Sequence, residues 1–278
     1  MATLAFAKLH GTANDFVYVD ARRGLPRDPA ALAPALCDRH RGIGADGLIL
    51  LLDSEQADCR MRIFNADGSV AEMCGNGIRG FAKFVLDREL VRGVPLRVET
   101  DAGIKIVEPE MADGRVVRVT VDMGAPVWDG RAIPVAADGE VVERPLEVDG
   151  REYRVTCVSM GNPHCVVFLD DVASLPLATI GPRFEYHPFF PRRVNTEFIR
   201  VAGPADLEMR VWERGAGETL ACGTGACAAA VAAARTGRTG RCLRVALPGG
   251  SLDIDWQADD HVHMSGDAVE VFDGFIEV

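Results

Sequence analysis

The feature that most restricts how this chain can fold is an internal repeat. Two glycine-flanked cysteine motifs, MCGNGIRG around Cys74 and ACGTGACA around Cys222, stand 148 positions apart. At the same offset MRIFN aligns with MRVWE, and Asn14 aligns with Asn162. Chance identity at one offset is expected at about one position in fifteen to twenty with ordinary residue usage. Matches sustained over separated segments indicate a duplication, and the period is too long for a solenoid.

The repeat predicts an α/β (α+β) fold with two pseudosymmetric domains. Each domain would have a curved, mostly antiparallel sheet wrapped around a central helix. Near the chain ends the register drifts by two, so that RVTVDMG matches AVEVFDG. We therefore expect the first domain to comprise residues 1–122 together with 267–278, which would return as a C-terminal strand. The second domain would comprise residues 123–266.

Local patterns support mixed elements in both halves. Short runs rich in strand-forming residues lie between turn residues: FVYVDA, LRVET, VVRVTVDMG, CVVFLD, LRVALP and HVHMSG. Apolar residues recur at helical spacing in 32–40 and 77–90. The counterpart of the second segment is 225–237, where Gly237 is expected to cap the helix C-terminus.

Composition excludes several classes of protein. The 278 residues are 48% hydrophobic and 26% charged, with a formal net charge of -11, so we expect no nucleic-acid partner. The sequence has no run of 18 apolar residues and no secretory signal, which predicts a cytoplasmic protein with no membrane association. Its eight cysteines form no CxxC pair. We expect reduced thiols, six of them small buried hydrophobes, and no metal site.

The two repeated cysteines carry the predicted chemistry. Each stands at the start of a predicted helix, where unbonded amides and the helix dipole favour a thiolate and can also hold a carboxylate. Two such helix starts facing each other would grip one carboxylate and place a thiol on either side of a Cα. A racemase needs two bases of this kind, one thiolate and one thiol, on opposite faces of the carbon.

No cofactor is expected. Pyridoxal phosphate is the usual alternative electron sink for a Cα carbanion. The chain has three lysines, Lys8, Lys83 and Lys105, and none stands in a context typical of a Schiff-base residue with a phosphate-binding loop.

Six segments in order resemble the diaminopimelate epimerase family: HGTANDFV, RIFNADGS, MCGNGIR, SMGNPHCV, ERGAGETLACGTGACA and LPGGSLDI. The resemblance runs from residue 4 to residue 278. It implies an active site in the cleft between the two domains, a homodimer and cofactor-independent two-base catalysis. The implied reaction converts L,L-2,6-diaminopimelate to the meso form for lysine and peptidoglycan precursor synthesis, with this small-molecule amino acid as the substrate.

The resemblance also implies residue roles. The two cysteines would be catalytic, and His164 and Glu213 would tune the thiol pKa values. Helix-start residues would bind the substrate carboxylate, asparagines would bind polar groups, and an acidic and a basic residue would bind the far end of the substrate. The implied binding residues are Asn14, Asn65, Gly75, Asn76, Asn162, Asn195, Glu213, Arg214, Gly223 and Thr224.

Three positions depart from the family pattern. Gly80 stands where many members have another cysteine, and this change should leave the chemistry intact. Gly47 stands where some members use glutamine to contact substrate. Phe272 stands where a tyrosine often supports the dimer, so dimer strength is open.

Other functions stay open at the level of sequence. A cofactor-independent racemase of histidine, proline or another amino acid would share the two cysteines. A thiol redox enzyme, a non-catalytic binding module and a hydrolase using cysteine with His164 fit the repeat less well. We also expect oxidation to join Cys74 and Cys222 in an inactivating disulfide, since both must flank one Cα.

Overall fold

Two separate segments of the chain build the first of two structural units. The computed structural model describes residues 2–278. The first unit is Met1–Asp122 with Ser265–Val278, and the second is Met123–Met264.

The first unit is mostly strand with two helices. Its elements up to the boundary are β1 Thr3–Gly11, β2 Asn14–Asp20, α1 Pro29–Cys37, β3 Gly47–Leu52, β4 Cys59–Asn65, β5 Val70–Ala71, α2 Gly75–Asp87, β6 Leu96–Thr100, β7 Gly103–Ala112 and β8 Arg115–Asp122.

The remaining elements are β9 Arg144–Val148, β10 Arg151–Ser159, β11 Pro163–Phe168, α3 Leu177–Glu185, β12 Asn195–Gly203, β13 Asp206–Glu213, β14 Gly217–Thr219, α4 Gly223–Arg235, β15 Cys242–Leu247, β16 Gly250–Trp256, β17 Val262–Asp267 and β18 Val269–Glu277. They lie in the second unit, except that β17 crosses the boundary at residue 264 and β18 returns to the first unit.

The two units share one pattern of strand pairing. In the first, β1/β2 is antiparallel, β2/β3 parallel, β3/β4 antiparallel, β4/β6 parallel and β6/β7 antiparallel. In the second, β10/β11, β11/β12, β12/β13, β13/β15 and β15/β16 repeat this series. The strand β18 returns to pair antiparallel with β1, with Thr3 opposite Glu277. The expected mixed α/β fold with two similar halves is confirmed.

A central helix in each unit is covered by strands of its own unit. The helix α2 packs against β1, β2, β3, β7 and β8, and α4 packs against β10, β11, β12, β13, β15 and β16. Residues 75–85 of α2 are all buried. In α4 the buried stretch is mostly alanine, whose small side chain lets strands approach from several sides. Both helices have 13 residues and begin 148 positions apart, as the repeat predicts.

Of the eighteen strands and four helices that the structure describes in residues 2–278, the sequence predicted six strands, the returning C-terminal strand and three helices. The six predicted strands and the helices around 77–90 and 225–237 are confirmed, and Gly237 follows α4 with φ 72° as expected of a C-terminal cap. The helix α1 begins three residues earlier than expected, at Pro29 after the side-chain cap from Asp28. The helix α3 was missed because it contains Pro182 and has no side-chain cap. No helix among residues 2–278 is long and apolar enough to span a membrane.

Of the six cysteines that we expected to be buried, five are buried and one is exposed. The side chains of Cys37, Cys59, Cys157, Cys165 and Cys227 are buried, in line with small apolar packing. The sixth, Cys242, was expected to be buried and is exposed, because it stands at an outward position of β15. Its thiol donates a hydrogen bond to Asp255 at 2.8 Å.

Because its thiol is buried, Cys59 should lower the free energy of unfolding at alkaline pH. Burial, helped by the charge of Asp58, raises the pKa of Cys59 from 9.0 to about 12. Between these values the unfolded thiol releases its proton while the folded thiol keeps it, so the free energy of unfolding falls as pH rises. We expect Cys59→Val to make that fall shallower by about 1 kcal/mol per pH unit.

Urea unfolding of the reduced protein at pH 8.5 and 10.5, in wild type and in Cys59→Val, checks this. Valine is close in size to cysteine and suits a strand, so the variant should fold. Equal pH slopes in the two proteins would show that the thiol does not contribute.

Candidate active site

Cys74 caps the N-terminus of α2 with its sulfur. Its backbone is extended, with φ −141° and ψ 117°, and its Sγ accepts a hydrogen bond from the amide of Gly77 at 3.3 Å. The first helical bond runs from Ile78 N to Cys74 O, so the amides of Gly75 and Asn76 precede the helical ladder. The helix start therefore combines a thiol with amides suited to an anion.

Two asparagines lie beside the Cys74 thiol, as predicted. Asn14 Oδ1 is 3.5 Å from Cys74 Sγ and accepts from Asn76 Nδ2 at 3.3 Å. Asn14 Nδ2 donates to a carboxylate oxygen of Asp46 at 2.7 Å. Because an ionised carboxylate only accepts, this bond fixes the amide of Asn14 with its oxygen toward the thiol.

A charged cluster anchors this asparagine, and the sequence analysis missed it. Arg39 lies 2.8 Å from both Asp15 and Asp46, and Lys8 lies 2.9 Å from Asp15. Burial acts to raise the pKa of Asp15, but the bonds from Arg39 and Lys8 outweigh it and lower the pKa to about 2. Asp15 thus stays ionised, and the cluster holds Asp46 in position beneath Asn14.

A buried arginine lies behind the same helix start. Arg79 has no exposed surface and donates to Gly75 O, Asn76 Oδ1, Thr12 Oγ1 and Asp267 O, at 3.0 to 3.2 Å. These contacts fix the first turn of α2 and place a positive charge within it. In the repeat its counterpart is a cysteine, so the two helix starts differ in charge at this position.

Cys222 is the N-cap residue of α4 and has an extended backbone like that of Cys74, but its side chain makes no capping hydrogen bond. It is 5% exposed, and its Sγ is 3.6 Å from the hydroxyl of Thr224. Burial raises the pKa of Cys222 well above its usual value, and the carboxylates of Glu213 and Glu197 raise it further. Hydrogen bonds from Thr224 and Gly225 act in the opposite direction and are outweighed. For Cys222 the expected shift toward thiolate is therefore wrong.

A buried polar chain leads from this region to Asn162. His164 Nδ1 is 2.7 Å from Glu197 Oε1, and its Nε2 is 2.8 Å from Asn162 Oδ1. The side chains of His164 and Glu197 have no exposed surface. Burial raises the pKa of Glu197, and His164 opposes this rise. The sequence analysis missed Glu197, although the repeat aligned it with Ile49 and so marked an acid in place of an apolar residue.

The other predicted residues of the second unit are joined to one another. Asn195 donates to Pro163 O at 2.9 Å and accepts from the amide of Arg214 at 2.8 Å, so this buried asparagine ties two chain segments together. Glu213 accepts a hydrogen bond from the hydroxyl of Thr219. The charge of Glu213 is near enough to Cys222 to affect its pKa.

Asn65 has a hydrogen-bond partner close to it in sequence. It is exposed at the end of β4, and its Nδ2 donates to the hydroxyl of Ser69 at 2.9 Å. Gly47 lies opposite Asn65 in the β3/β4 register. Among residues 2–278 no group of histidine, cysteine, aspartate or glutamate side chains is arranged to hold a metal ion.

Comparison with known proteins identifies the family. The family model described as diaminopimelate epimerase matches residues 6–128 and 156–271. The chain belongs to the diaminopimelate epimerase family. A diaminopimelate epimerase of Moorella thermoacetica is 57% identical over 97% of this chain and 98% of its own length. That of Acetivibrio thermocellus is 50% identical over 99% of both chains. As a member of this epimerase family, the chain is an isomerase.

Solved structures share the fold at low sequence identity. A hydroxyproline epimerase from Agrobacterium vitis superposes with a TM-score of 0.71 at 14% identity, covering 99% of this chain and 92% of that one. A phenazine biosynthesis protein of the PhzF family from Bacillus anthracis gives 0.70 at 16% identity, with both chains fully covered. At such identities the similarity concerns the fold alone.

Gly80 in α2 lies so close to Tyr18 that a larger residue at this position should destabilise the protein. A Cβ at residue 80 would lie 2.2 Å from the hydroxyl oxygen of Tyr18, which donates to Gly77 O at 3.0 Å. Alanine usually stabilises a helix relative to glycine, by up to about 1 kcal/mol. We expect Gly80→Ala instead to destabilise the protein by about 2 kcal/mol, because the tyrosine must move.

A double-mutant cycle with Tyr18→Phe, followed by urea unfolding, tests the contact. Removing the hydroxyl of Tyr18 relieves the shortest clash. The double variant should therefore lose clearly less free energy of unfolding than the sum of the losses in the two single variants. Additive costs would mean that the hydroxyl of Tyr18 does not occupy the space at residue 80.

Proposed function

We propose that this chain converts L,L-2,6-diaminopimelate to meso-diaminopimelate by moving a proton at Cα between Cys74 and Cys222, without a cofactor. The reaction would serve lysine and peptidoglycan precursor synthesis in the cytoplasm. The observation that carries the mechanism is that both cysteines cap matching helices in two units of the same topology. Membership of the family supports the substrate.

The proton transfer would use one thiolate and one thiol. The thiolate takes the proton from Cα, and the electron pair of the broken C–H bond stays on the carbon. The thiol then gives its proton to the opposite face, forming a new C–H bond and leaving a thiolate. The configuration inverts, and the two sulfurs exchange protonation states. This mechanism requires Cys74 and Cys222 to reach opposite faces of one Cα.

Backbone amides would stabilise the carbanion. Negative charge that develops on Cα spreads to the adjacent carboxylate, where fixed donors lower its energy. The amides of Gly75, Asn76, Gly223 and Thr224 lie in the first turns of α2 and α4, whose dipoles favour an anion. These amides need no reorganisation when the charge appears.

The remaining polar residues would bind the rest of the substrate. Arg214 is a suitable donor for the distal carboxylate, and Glu213 is a suitable acceptor for the distal ammonium. Asn162 gives its oxygen to His164, which leaves its Nδ2 for a carboxylate. We assign binding roles also to Asn14, Asn65 and Asn195, and a role in tuning the thiols to His164 and Glu213.

The test is NMR of L,L-diaminopimelate in D₂O with reduced protein and no added cofactor. We expect deuterium at Cα together with meso product. Serine is too weak an acid to replace a thiol, so Cys74→Ser or Cys222→Ser should each lower the rate at least about a hundredfold. The matched control is Cys242→Ser, which removes an exposed thiol on β15 and should keep the wild-type rate.

Failure of the proposal would be visible in the same experiment. Retained activity in either active-site variant would exclude the two-base mechanism. No exchange with diaminopimelate, but exchange with histidine or proline, would assign the chain to another amino acid.

We also propose that the chain works as a homodimer through β18. Four apolar side chains of this strand are exposed, Val269, Val271, Phe272 and Phe275, with exposures of 41%, 53%, 44% and 77%. The ring of Phe272 lies edge-on to that of Phe6. Adjacent exposed apolar groups of this size are typical of protein interfaces. The ring of Phe272, which stands where a tyrosine often supports the dimer in the family, packs against Phe6.

Sedimentation analysis tests the dimer. We expect wild type to have twice the chain mass and Phe275→Glu to shift toward the monomer, because a charge would be buried at the interface. The control Val201→Glu places the same charge on a partly exposed apolar residue of β12 and should stay dimeric. A monomeric wild type, or a dimeric Phe275→Glu, would exclude this surface.

A further inference from the structure

The space beside the cap sulfur can be compared directly between the two helix starts, because the same repeat positions surround it. A Cβ on Gly77 would lie 2.8 Å from Ile49 Cδ1 and 3.5 Å from Cys74 Sγ. A Cβ on Gly225 would lie 2.8 Å from Glu197 Oε1 and 3.2 Å from Cys222 Sγ. Ile49 and Glu197 are repeat mates, 148 residues apart. The same space beside the cap sulfur is therefore apolar in the first unit and acidic in the second.

Glu197 has a partner that the first unit also lacks. His164 on β11 bonds Glu197 Oε1, while its repeat mate is Phe16. The backbone setting is the same, because both pairs lie on parallel neighbouring strands in the same register. Within residues 2–278, Glu197 Oε2 has no hydrogen-bond partner. An imidazole and a carboxylate have thus replaced two apolar side chains at matching places.

The hydrogen bonds define how this pair is polarised. His164 Nε2 faces Asn162 Oδ1, an acceptor, so Nε2 carries a hydrogen. Two bare lone pairs cannot face each other at 2.7 Å, so a proton also lies between Nδ1 and Glu197 Oε1. In this pair the imidazole of His164 lies toward Asn162, and the carboxylate oxygen of Glu197 lies beside Cys222. Electron-rich oxygen next to a buried sulfur disfavours its thiolate.

We propose that Glu197 is a positioning residue which, held by His164, keeps Cys222 protonated and so makes it the proton donor of the resting enzyme. Its role as donor rests on the proposed two-base reaction. In the first turnover the S–H bond of Cys222 breaks, its proton forms the new C–H bond, and the electron pair stays on sulfur. Cys74, whose corresponding neighbour is Ile49, would accept the proton taken from the opposite face.

Glu213 and Cys165 also interact with this pair. Glu213 on β13 raises the pKa of both Cys222 and Glu197, and its effect on Cys222 exceeds that of Glu197. The pKa of Cys165 on β11 is raised mainly by burial, and the charge of Glu197 adds to this rise. Glu213 is half-buried and bonded to Thr219, whereas Glu197 is wholly enclosed. The contribution of Glu197 should therefore persist when ligand covers Glu213.

The experiment is a titration of the full-length protein labelled with ¹³C at cysteine Cβ. NMR reports the protonation of each thiol without a reagent or a substrate, and Cys222→Ser and Cys74→Ser assign the two signals. We expect Glu197→Gln to lower the titration midpoint of Cys222 by roughly half a pH unit or more, since an amide replaces the carboxylate. The midpoint of Cys74 should stay unchanged. The control is Glu208→Gln, which removes a carboxylate paired with Arg200 at the surface. It should leave the titration midpoints of both Cys74 and Cys222 unchanged.

If Glu197→Gln does not fold, the proposal can be tested by building the same histidine–glutamate pair in the first unit, a variant called the transplant. The double variant Phe16→His with Ile49→Glu installs the pair beside Cys74. We expect the titration midpoint of Cys74 to rise in this variant while that of Cys222 stays unchanged.

The outcomes separate this proposal from the proposed function. An unchanged or higher Cys222 midpoint in folded Glu197→Gln, or an unchanged Cys74 midpoint in the folded transplant, would overturn the role of Glu197. Absence of epimerase activity in wild type would overturn the function and leave the titration result standing.

Discussion

The first turn of a helix has backbone amides that the helix itself cannot bond, and this constraint organises the whole structure. Burying α2 and α4 on nearly all sides leaves their N-termini as the places where such amides can meet a ligand. In the proposed reaction, a cysteine at the cap position adds a proton carrier to a site already suited to a carboxylate. The strands around each helix serve to hold that first turn rigid.

Duplication supplied two such helix starts, and buried charge has since made them unequal. The first has Arg79 within its opening turn, where the repeat mate in the second is Cys227. The second has Glu197 beside its thiol, where the repeat mate in the first is Ile49. Buried charges act through a low dielectric and are screened little by salt. Similar backbones thus place the two thiols in different electrostatic surroundings, as the proposed reaction with one proton donor and one acceptor requires.

The repeat made much of this fold predictable from sequence. An offset fixed by Cys74 and Cys222 located both central helices to within two residues at their starts, because helices and their glycine turns leave strong local signals. Burial and charge were harder to predict. The helix dipole argument gave the wrong direction for Cys222, since it ignored enclosure and the carboxylates brought near by β12 and β13. Glu197, Asp46 and Arg79 were missed because their roles depend on contacts across strands and turns that local sequence patterns do not report.

The pairing of β18 with β1 has a consequence for the order in which the protein can be completed. Thr3 lies opposite Glu277, so the first unit lacks a strand until β18, Val269–Glu277, is available. The second unit, Met123–Met264, is continuous and has all its strands earlier. During synthesis from the N-terminus, the half that begins first is therefore the half that finishes last. A ribosome-bound chain would lack a complete Cys74 unit until residues 269–277 have left the ribosome.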